Sequence, residues 1–269
     1  MLSKKNETEK LIITATPNFS WINPELTNYP KTADGIIDEI VKCYEAGASI
    51  AHIHGVGGWK ETISGIRDKC DIIIQAGMSS QPIEERKEIF ENKPDMISII
   101  LNHHDEAFTG KDFHRLHPRE ELEEYCKKCR ATKIKPEWEV WNTGSIWNLN
   151  YLIKKKLLEP PHYQTLFFGW PGGTWSPATS EEYFYRVKYL PPDSVYAISV
   201  MGSDQQKIAV LSILDGGHVR VGTEDYPYVK KGVPAENTAQ LVENLVKLAK
   251  EMGREVAEPS EAKKIIGLR

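Results

Sequence analysis

Short runs of apolar and β-branched residues recur along the chain, and most are separated by stretches with apolar residues three or four positions apart. Runs of the first kind predict buried β-strands, and spacing of the second kind predicts amphipathic helices. The predicted strands are residues 11–16, 49–54, 70–76, 96–101, 137–141, 163–168, 195–200 and 218–222. The predicted helices are residues 32–46, 83–90, 118–129, 146–158, 180–189, 205–214, 236–252 and 260–266.

This alternation predicts an α/β fold in which parallel strands close into a (β/α)8 TIM barrel. A barrel of this kind needs about 250 residues, and the chain has 269. No stretch rich in proline, glycine or serine divides it, so we expect one domain over residues 1–269. Residues 1–10 form an N-terminal extension, and residues 254–269 hold a short C-terminal helix. A doubly wound sheet is disfavoured because the segment after the first strand, residues 17–20, lacks a GxGxxG fingerprint.

Composition narrows the class of protein. The 34 basic and 38 acidic residues give a net charge of −4, which argues against a nucleic-acid surface. No apolar run reaches the roughly 18 residues of a membrane span, and residues 1–10 lack the apolar core of a signal peptide. We therefore expect a cytoplasmic enzyme that acts on small molecules. Cys126 and Cys129 form a single CxxC pair without the second pair of a zinc ribbon. Two reduced thiols on a helix are favoured over a redox pair.

Two histidines end the second predicted strand, in the order His52, Ile53, His54. Side chains alternate along a strand, so both imidazoles lie on one face, about 6–7 Å apart at the backbone. Catalytic residues of a (β/α)8 barrel lie at the carboxyl ends of its strands. The pair therefore suits a metal site, although such pairs also occur as hydrogen-bonded histidines near a surface.

An acidic segment at the end of the last predicted strand offers a third ligand. It begins with Arg220 and ends with Glu224 and Asp225. In a closed eight-stranded barrel the second and eighth strands both flank the first, so we expect Glu224 beside His52 and His54. Two histidines and one carboxylate with an open position are the ligands of a catalytic zinc. The alternative is an ordinary salt-bridged strand end.

These residues are part of a longer set of motifs, through which the chain resembles the beta-keto acid cleavage enzymes, a family of zinc-dependent (β/α)8 proteins. The matching segments are residues 11–15, 45–48, 52–54, 136–139, 143–144, 169–173, 216–225, 231–232 and 237–242. The resemblance covers roughly residues 10–268. Its most specific part is the order of the His-x-His motif and the later Arg-Val-Gly-x-Glu-Asp segment.

The resemblance implies a reversible acyl exchange, in which a beta-keto acid and acetyl-CoA give acetoacetate and a new acyl-CoA. It assigns one zinc ion per subunit to His52, His54 and Glu224, where the ion stabilises an enolate. Asp225 is implied as the general base that removes the C2 proton, through water, and Arg220 as the residue that orients this base and balances negative charge. A homotetramer is also implied.

The sequence departs from the family pattern in three loops expected to contact substrate. The loop after the third strand is shortened, and its Ser79 and Ser80 are both candidates for the substrate carboxylate. After the fourth strand, Asn102 and His103 replace the family motif, with His103 near the position of a family hydroxyl. Residues 18–21, after the first strand, lack the carboxylate that members acting on amino-bearing substrates carry. The sequence therefore leaves the keto acid undefined.

Aromatic and histidine residues in the predicted loops add two further expectations. The tryptophans predicted to lie at the catalytic face are Trp21, Trp59, Trp170 and Trp175. They predict an aromatic-lined pocket, with lids or subunit contacts as the alternative. His114 and His117 lie in a polar segment and are interpreted as solvated.

Two other classes of function stay open. A class II aldolase or a metal-dependent hydrolase would share the barrel and the metal, but hydrolases of this type place their His-x-His motif on the first strand. A non-catalytic barrel that binds a metabolite would keep the fold without an open metal position.

Overall fold

The computed structural model describes residues 9–26, 28–101, 103–105, 114–170 and 176–268. The strands, in chain order, are β1 Ile13–Ala15, β2 Ile50–Ile53, β3 Ile73–Ala76, β4 Met96–Ile100, β5 His103–Asp105, β6 His114–Leu116, β7 Lys135–Val140, β8 His162–Phe168, β9 Ser194–Val200, β10 His218–Val221, β11 Tyr228–Lys230 and β12 Val233–Pro234. Eight of them close into a parallel barrel in the order β1-β10-β9-β8-β7-β4-β3-β2. The predicted (β/α)8 barrel is confirmed.

Helices follow the barrel strands along the chain. They are α1 Ala33–Glu45, α2 Trp59–Arg67, α3 Lys87–Asn92, α4 Arg119–Thr132, α5 Thr143–Lys154, α6 Ser180–Tyr189, α7 Gln205–Leu214, α8 Thr238–Glu251 and α9 Pro259–Ile266. Polar caps start several of them: the side chains of Thr32, Asn142 and Asn237 accept a hydrogen bond from a backbone N–H three residues on. Such caps satisfy donors that have no partner inside the helix. Among the described residues, no helix combines the length and apolar character that crossing a membrane requires.

Helix α2 was not predicted. It carries Trp59, Ile63 and Ile66 on its buried face, which is helical spacing. A glycine run comes directly before it and favours a loop in a sequence-based interpretation. Gly58 takes a φ of 114°, a conformation that suits glycine, and the helix begins at the next residue. Trp59 therefore begins a helix and is buried, instead of lying in a loop.

The interior of the barrel changes from apolar to polar along its axis. At the amino-terminal end, Ile12, Ile50, Ile73 and Met96 form one cluster with residues of α9, including Ile266. This cluster closes that end of the barrel. Further along, the buried polar residues include Thr14, His52, Gln75, Ser98, Glu137 and Arg220. Buried polar groups need partners, so this half of the interior is where a site can form.

The CxxC pair has a structural explanation. Cys126 and Cys129 are buried on α4, and neither is in a disulfide. Burial raises the pKa of Cys126 to about 12, and it raises the pKa of Cys129 further. The thiolate is the reactive form of cysteine, so both residues act as packing groups in the described structure.

Candidate metal centre and active site

Two histidines at the end of β2 point into the barrel. Nε2 of His52 and Nε2 of His54 lie 3.2 Å apart. Glu224 follows β10 and reaches the same place because β1 alone separates β10 from β2 in the barrel. Its Oε1 lies 3.4 Å from Nε2 of His54 and 3.9 Å from Nε2 of His52. The three side chains converge as the strand order predicted, with ligand atoms all within 4.8 Å of one another.

Hydrogen bonds orient His52 and Glu224 through the side-chain atoms that face away from the centre. Nδ1 of His52 lies 3.1 Å from Oε1 of Gln75. An amide oxygen only accepts hydrogen bonds, so Nδ1 carries the hydrogen and Nε2 presents its lone pair to the centre. On Glu224, Oε2 accepts hydrogen bonds from Oγ1 of Thr16 and, at 2.8 Å, from Nδ2 of Asn18. These contacts leave Oε1 turned towards the imidazoles.

Asn18 connects Glu224 with the two histidines through hydrogen bonds. The sequence did not identify it as a functional residue. Besides Glu224, its Nδ2 donates to the backbone oxygen of His52 at 3.2 Å. Its Oδ1 accepts from the backbone N–H of His54, also at 3.2 Å. Outer partners of this kind hold metal ligands in place. Its position directly after a strand that lies between two ligand-bearing strands is a signal that could have found it.

A buried cation and two carboxylates form an ion network beside the centre. Arg220 donates through Nε to Oδ2 of Asp225 at 2.9 Å and through Nη2 to Oδ1 at 2.7 Å. The same Nη2 donates to Oε1 of Glu224 at 3.0 Å. Oδ2 of Asp225 also accepts from Oγ of Ser199 at 2.8 Å. Glu224 therefore bonds to Arg220 at the end of the strand and also converges with the two histidines, so the salt bridge does not exclude the metal site.

Electrostatics keep His52 and Glu224 in the protonation states that bind a metal. Burial, together with the Arg220 cation, holds the pKa of His52 well below its ordinary value. Burial opposes ionisation of Glu224, but Arg220 and the histidines outweigh it, so the pKa of Glu224 is well below its ordinary value. Burial raises the pKa of Asp225, and Arg220 opposes that rise. A neutral imidazole and an ionised glutamate are metal-binding forms.

The residues present fit a metal ion in two respects. Two imidazole nitrogens and one carboxylate oxygen are the donor set of catalytic zinc sites that keep a position for substrate. Gly77, after β3, leaves space against them: a Cβ built on it would lie 2.7 Å from Nε2 of His54 and 3.0 Å from Nε2 of His52. The only side chain that fits at this position is the hydrogen of glycine, and the space beside both nitrogens stays open.

A cavity of about 140 Å³ opens on one side of the centre. Ser79 and Ser80 line it, as do Trp21 and Trp170, in agreement with their predicted placement at the mouth. Asn102, a predicted substrate contact, and Trp175 fall outside the described residues. The side chain of His103, the other predicted contact, also falls outside them. The predicted aromatic-lined pocket is therefore present where the structure describes it.

The prediction that His117 is solvated is wrong. Its side chain is buried, at 2% exposure, and is not solvated. Nδ1 lies 2.8 Å from Oε2 of Glu121, and Nε2 lies 2.9 Å from the backbone oxygen of Ser79. His117 thus fixes the loop that presents Ser79 and Ser80 to the cavity. The side chain of His114 falls outside the described residues.

Glu139 is a candidate functional residue that sequence reasoning missed. It lines the cavity, and its Oε2 accepts from Oγ of Ser79 at 2.9 Å and from Nε1 of Trp141 at 3.0 Å. Burial and the neighbouring Glu137 raise its pKa to about 7. A carboxyl with a pKa near the working pH suits acid–base chemistry. The alternation of Glu137, Trp138 and Glu139 along β7, which places both acids on the inner face, is the signal that could have found it.

Fold and site together define the class of protein. It is a (β/α)8 barrel with a candidate metal centre at the carboxyl ends of its strands, where enzymes of this fold have their active sites. The model of the beta-keto acid cleavage enzyme family matches residues 10–268. The chain belongs to this family, and it is an enzyme of the acyl-transferring type.

Curated relatives are similar over nearly the whole chain. A 3-keto-5-aminohexanoate cleavage enzyme of Acetoanaerobium sticklandii is 34% identical, and the alignment covers 97% of this chain and 99% of that protein. A protein of the same name from Fusobacterium nucleatum is 31% identical, with the same coverage. The 3-dehydrocarnitine:acetyl-CoA trimethylamine transferase of Rhizobium meliloti is 24% identical over 90% of this chain and 91% of that protein.

A solved structure supports the fold independently. The ternary complex of ObcA with a C4-CoA adduct and oxalate superposes with a TM-score of 0.71 at 16% sequence identity. The match covers 90% of this chain and 68% of the ObcA chain. At this identity the likeness concerns the barrel alone.

Proposed function

We propose that the protein catalyses a zinc-dependent acyl exchange, in which a beta-keto acid and acetyl-CoA give acetoacetate and a new acyl-CoA. The observation that carries the proposal is the triad of His52, His54 and Glu224 beside an open cavity, in a member of the beta-keto acid cleavage enzyme family. The name of the Rhizobium meliloti relative, an acetyl-CoA transferase, supports acetyl-CoA as the second substrate.

The proposed cofactor is one zinc ion per subunit, held by His52, His54 and Glu224. When bound, zinc supplies Lewis acidity that polarises the keto acid and makes its C2 proton easier to remove. The donor set favours zinc because two neutral imidazoles and one carboxylate are borderline ligands, whereas magnesium and calcium prefer oxygen. The space left by Gly77 supports this location.

The proposed chemistry begins with proton removal. Asp225 takes the C2 proton through a water molecule, since its carboxylate is fully buried behind Arg220. The C2 carbanion, in its enolate form, attacks the acetyl carbonyl and releases CoA as the thiolate. The thiolate then attacks the original keto carbon, and the bond from C2 to that carbon breaks. Acetoacetate leaves once its C2 regains the proton, and the remaining acyl group leaves on CoA.

The other cavity residues have proposed supporting roles. Arg220 orients Asp225 and balances the negative charge that develops in each addition step. Ser79, Ser80, Asn102 and His103 are proposed to contact the keto acid, with a serine at its carboxylate. Of these, Ser79 and Ser80 are supported by their place in the cavity lining.

A second carboxyl competes with Asp225 for the role of base. Glu139 lines the cavity directly, whereas Asp225 does not, and burial raises the pKa of Glu139 to about 7. Asp225 is kept as the proposed base because it shares Arg220 with the ligand Glu224 and so lies next to the centre. Substitution of each residue separates the two assignments.

The compartment and assembly are proposed from the resemblance to the family. We propose a cytoplasmic homotetramer in which each subunit carries its own centre. Sedimentation or native mass measurement of the purified protein tests the assembly, and a stable monomer would remove this part of the proposal.

An isotope experiment tests the proposed reaction against its alternatives. Acetyl-CoA labelled with ¹³C in the acetyl group is incubated with a beta-keto acid and the zinc-loaded protein. The proposal predicts label in carbons 3 and 4 of acetoacetate and an unlabelled new acyl-CoA. Labelled acetate would indicate hydrolysis instead. Cleavage of the keto acid into two carboxylates without CoA would also favour a hydrolase, with water in place of the thiolate. Absence of any product with bound zinc would favour an aldolase, which acts on β-hydroxy carbonyl compounds, or a non-catalytic barrel.

A further inference from the structure

The side chain of the keto acid is the part of the substrate that the proposed function leaves undefined. We infer that this protein selects beta-keto acids whose side chain is an uncharged hydrocarbon, through contact with Phe19 and Trp21. The inference rests on the proposed function and adds the substrate class to it.

Five aromatic side chains line the cavity together with the candidate ligands. This aromatic belt consists of Phe19, Trp21, Trp141, Phe167 and Trp170. Trp141 and Phe167 stack with centroids 4.4 Å apart, and Trp170 meets Trp141 edge to face at 4.9 Å. Trp21 packs against this cluster from the loop after β1. The rings therefore hold one another in place, and the cavity has a preformed apolar wall.

The position of Phe19 decides which part of a substrate meets this wall. Its ring centroid lies 5.6 Å from that of His54, edge to face, and 4.4 Å from that of Trp21 in the same geometry. A keto acid held by its oxygens at the centre has its side chain only a few bonds from the ring of His54. That side chain therefore meets Phe19 first and Trp21 next.

Charged side chains on the substrate find poor partners among the lining residues that the structure describes, where the cation Arg220 is already bound by Asp225 and Glu224. Among the described lining residues the acids are Glu139 and Glu224. Oε1 of Glu224 bonds to Arg220 at 3.0 Å, and Oε2 of Glu139 accepts two hydrogen bonds from Ser79 and Trp141. A cationic group would also lie near the buried Arg220 and the proposed zinc.

The apolar wall does not replace the hydration that an ammonium group would lose on entering the cavity. The guanidinium of Arg220 lies 5.3 Å from the ring of Phe167 and already occupies a cation–π position there. An anionic side chain would lose its hydration against aromatic carbon. A neutral alkyl or aryl group is the one class that gains from contact with Phe19 and Trp21.

Three acids with one six-carbon skeleton test the inference. They are 3-oxohexanoate, which is neutral beyond its carboxylate, 3-keto-5-aminohexanoate, which adds an ammonium group, and 3-oxoadipate, which adds a second carboxylate. Acetoacetate formation with acetyl-CoA and the zinc-loaded protein gives kcat/KM for each. We expect 3-oxohexanoate to exceed the other two by about 100-fold or more, because an ammonium group or a second carboxylate would lose its hydration against the aromatic belt.

Variants locate the selectivity. Phe19→Ala should lower kcat/KM for 3-oxohexanoate about 10- to 100-fold, mainly through KM, and leave the two charged acids nearly unchanged. Phe19→Leu should restore most of the loss. Trp147→Ala is the matched control, since Trp147 is an aromatic residue of α5 that is 69% exposed. Zinc content, measured on every variant, shows whether the centre is intact. A general structural defect would instead lower turnover of all three acids alike.

The outcomes separate this inference from the proposed function. Two results would overturn the inference and leave the proposed function standing. One is a higher kcat/KM for the ammonium or dicarboxylate acid than for 3-oxohexanoate. The other is an equal loss of kcat/KM for all three acids in Phe19→Ala. No acetoacetate from any acid, with zinc bound, would refute the proposed function and the inference with it.

Discussion

Substitution of Gly77 by alanine tests the metal centre without removing a ligand. The added methyl would lie 2.7 Å from Nε2 of His54 and 3.0 Å from Nε2 of His52. Gly77 is not among the residues with positive φ, so alanine can adopt its backbone conformation. The effect of Gly77→Ala is therefore confined to the space beside the two nitrogens, which is where a bound ion must lie.

The expected magnitude follows from these distances. Zinc lies about 2.0–2.1 Å from an imidazole nitrogen, and a methyl carbon 2.7–3.0 Å from the two nitrogens takes up that space. Both rings must move before an ion can bind. We expect zinc affinity to fall at least about 100-fold, equal to about 2.7 kcal/mol. Overpacking should lower the free energy of unfolding by about 1–3 kcal/mol.

A second glycine provides the control. A Cβ at Gly217 would overlap the ring of Tyr196, whose hydroxyl bonds to Tyr183 and Asp215 and not to the residues of the centre. Gly217→Ala should therefore lose stability and keep zinc, whereas Gly77→Ala should stay folded and lose zinc. Competition with a chromophoric chelator measures affinity, and urea titration measures stability. Wild-type zinc affinity in Gly77→Ala would refute the placement of the ion beside His52 and His54.

Three further substitutions test individual residues. Asp225→Asn should keep zinc and lower kcat at least about 100-fold; near-normal turnover, together with a collapse in Glu139→Gln, would move the base to Glu139. Asn18→Ala should weaken zinc binding about 10- to 100-fold. The control Asn237→Ala removes a helix cap on α8 and should leave zinc affinity unchanged. Equal zinc affinities in the two variants would show that Asn18 does not support the ligands. Burial lowers the pKa of His218 to about 3, below the value of 6.5 for an exposed histidine, so the unfolded chain binds the extra proton between these pH values. The free energy of unfolding should therefore fall as the pH decreases from about 6.5 to about 3, and His218→Asn should reduce that slope by up to about 1.4 kcal/mol per pH unit; urea titrations with identical slopes would contradict this.

The sequence predicted the barrel because its strands and helices carry clear periodicity. Each of the eight barrel strands begins within three residues of its predicted start. The closed barrel, once assumed, places Glu224 beside His52 and His54 without any further information. Helix α2 was missed because four residues that include three glycines precede it, and local signals do not show that these residues form a helix start.

The parts of the site that could not be predicted depend on packing across the barrel. Asn18 acts through hydrogen bonds to residues 34 to 206 positions away. The raised pKa of Glu139 comes from burial and from Glu137, which only the closed interior creates. His117 was interpreted as solvated because its neighbours in sequence are polar, whereas the fold places it against Ser79. Periodicity describes local structure and is silent on such contacts.

A zinc titration of acetoacetate formation tests whether the proposed reaction depends on an ion at the candidate metal centre. The protein is stripped of metal, returned to defined fractions of zinc per chain, and assayed with acetyl-CoA and 3-oxohexanoate. We expect no acetoacetate without zinc and a rate that rises linearly until one zinc ion is bound per chain, with no such rise in His54→Ala. Acetoacetate formation by the metal-free protein, or none at one bound zinc per chain, would contradict this expectation.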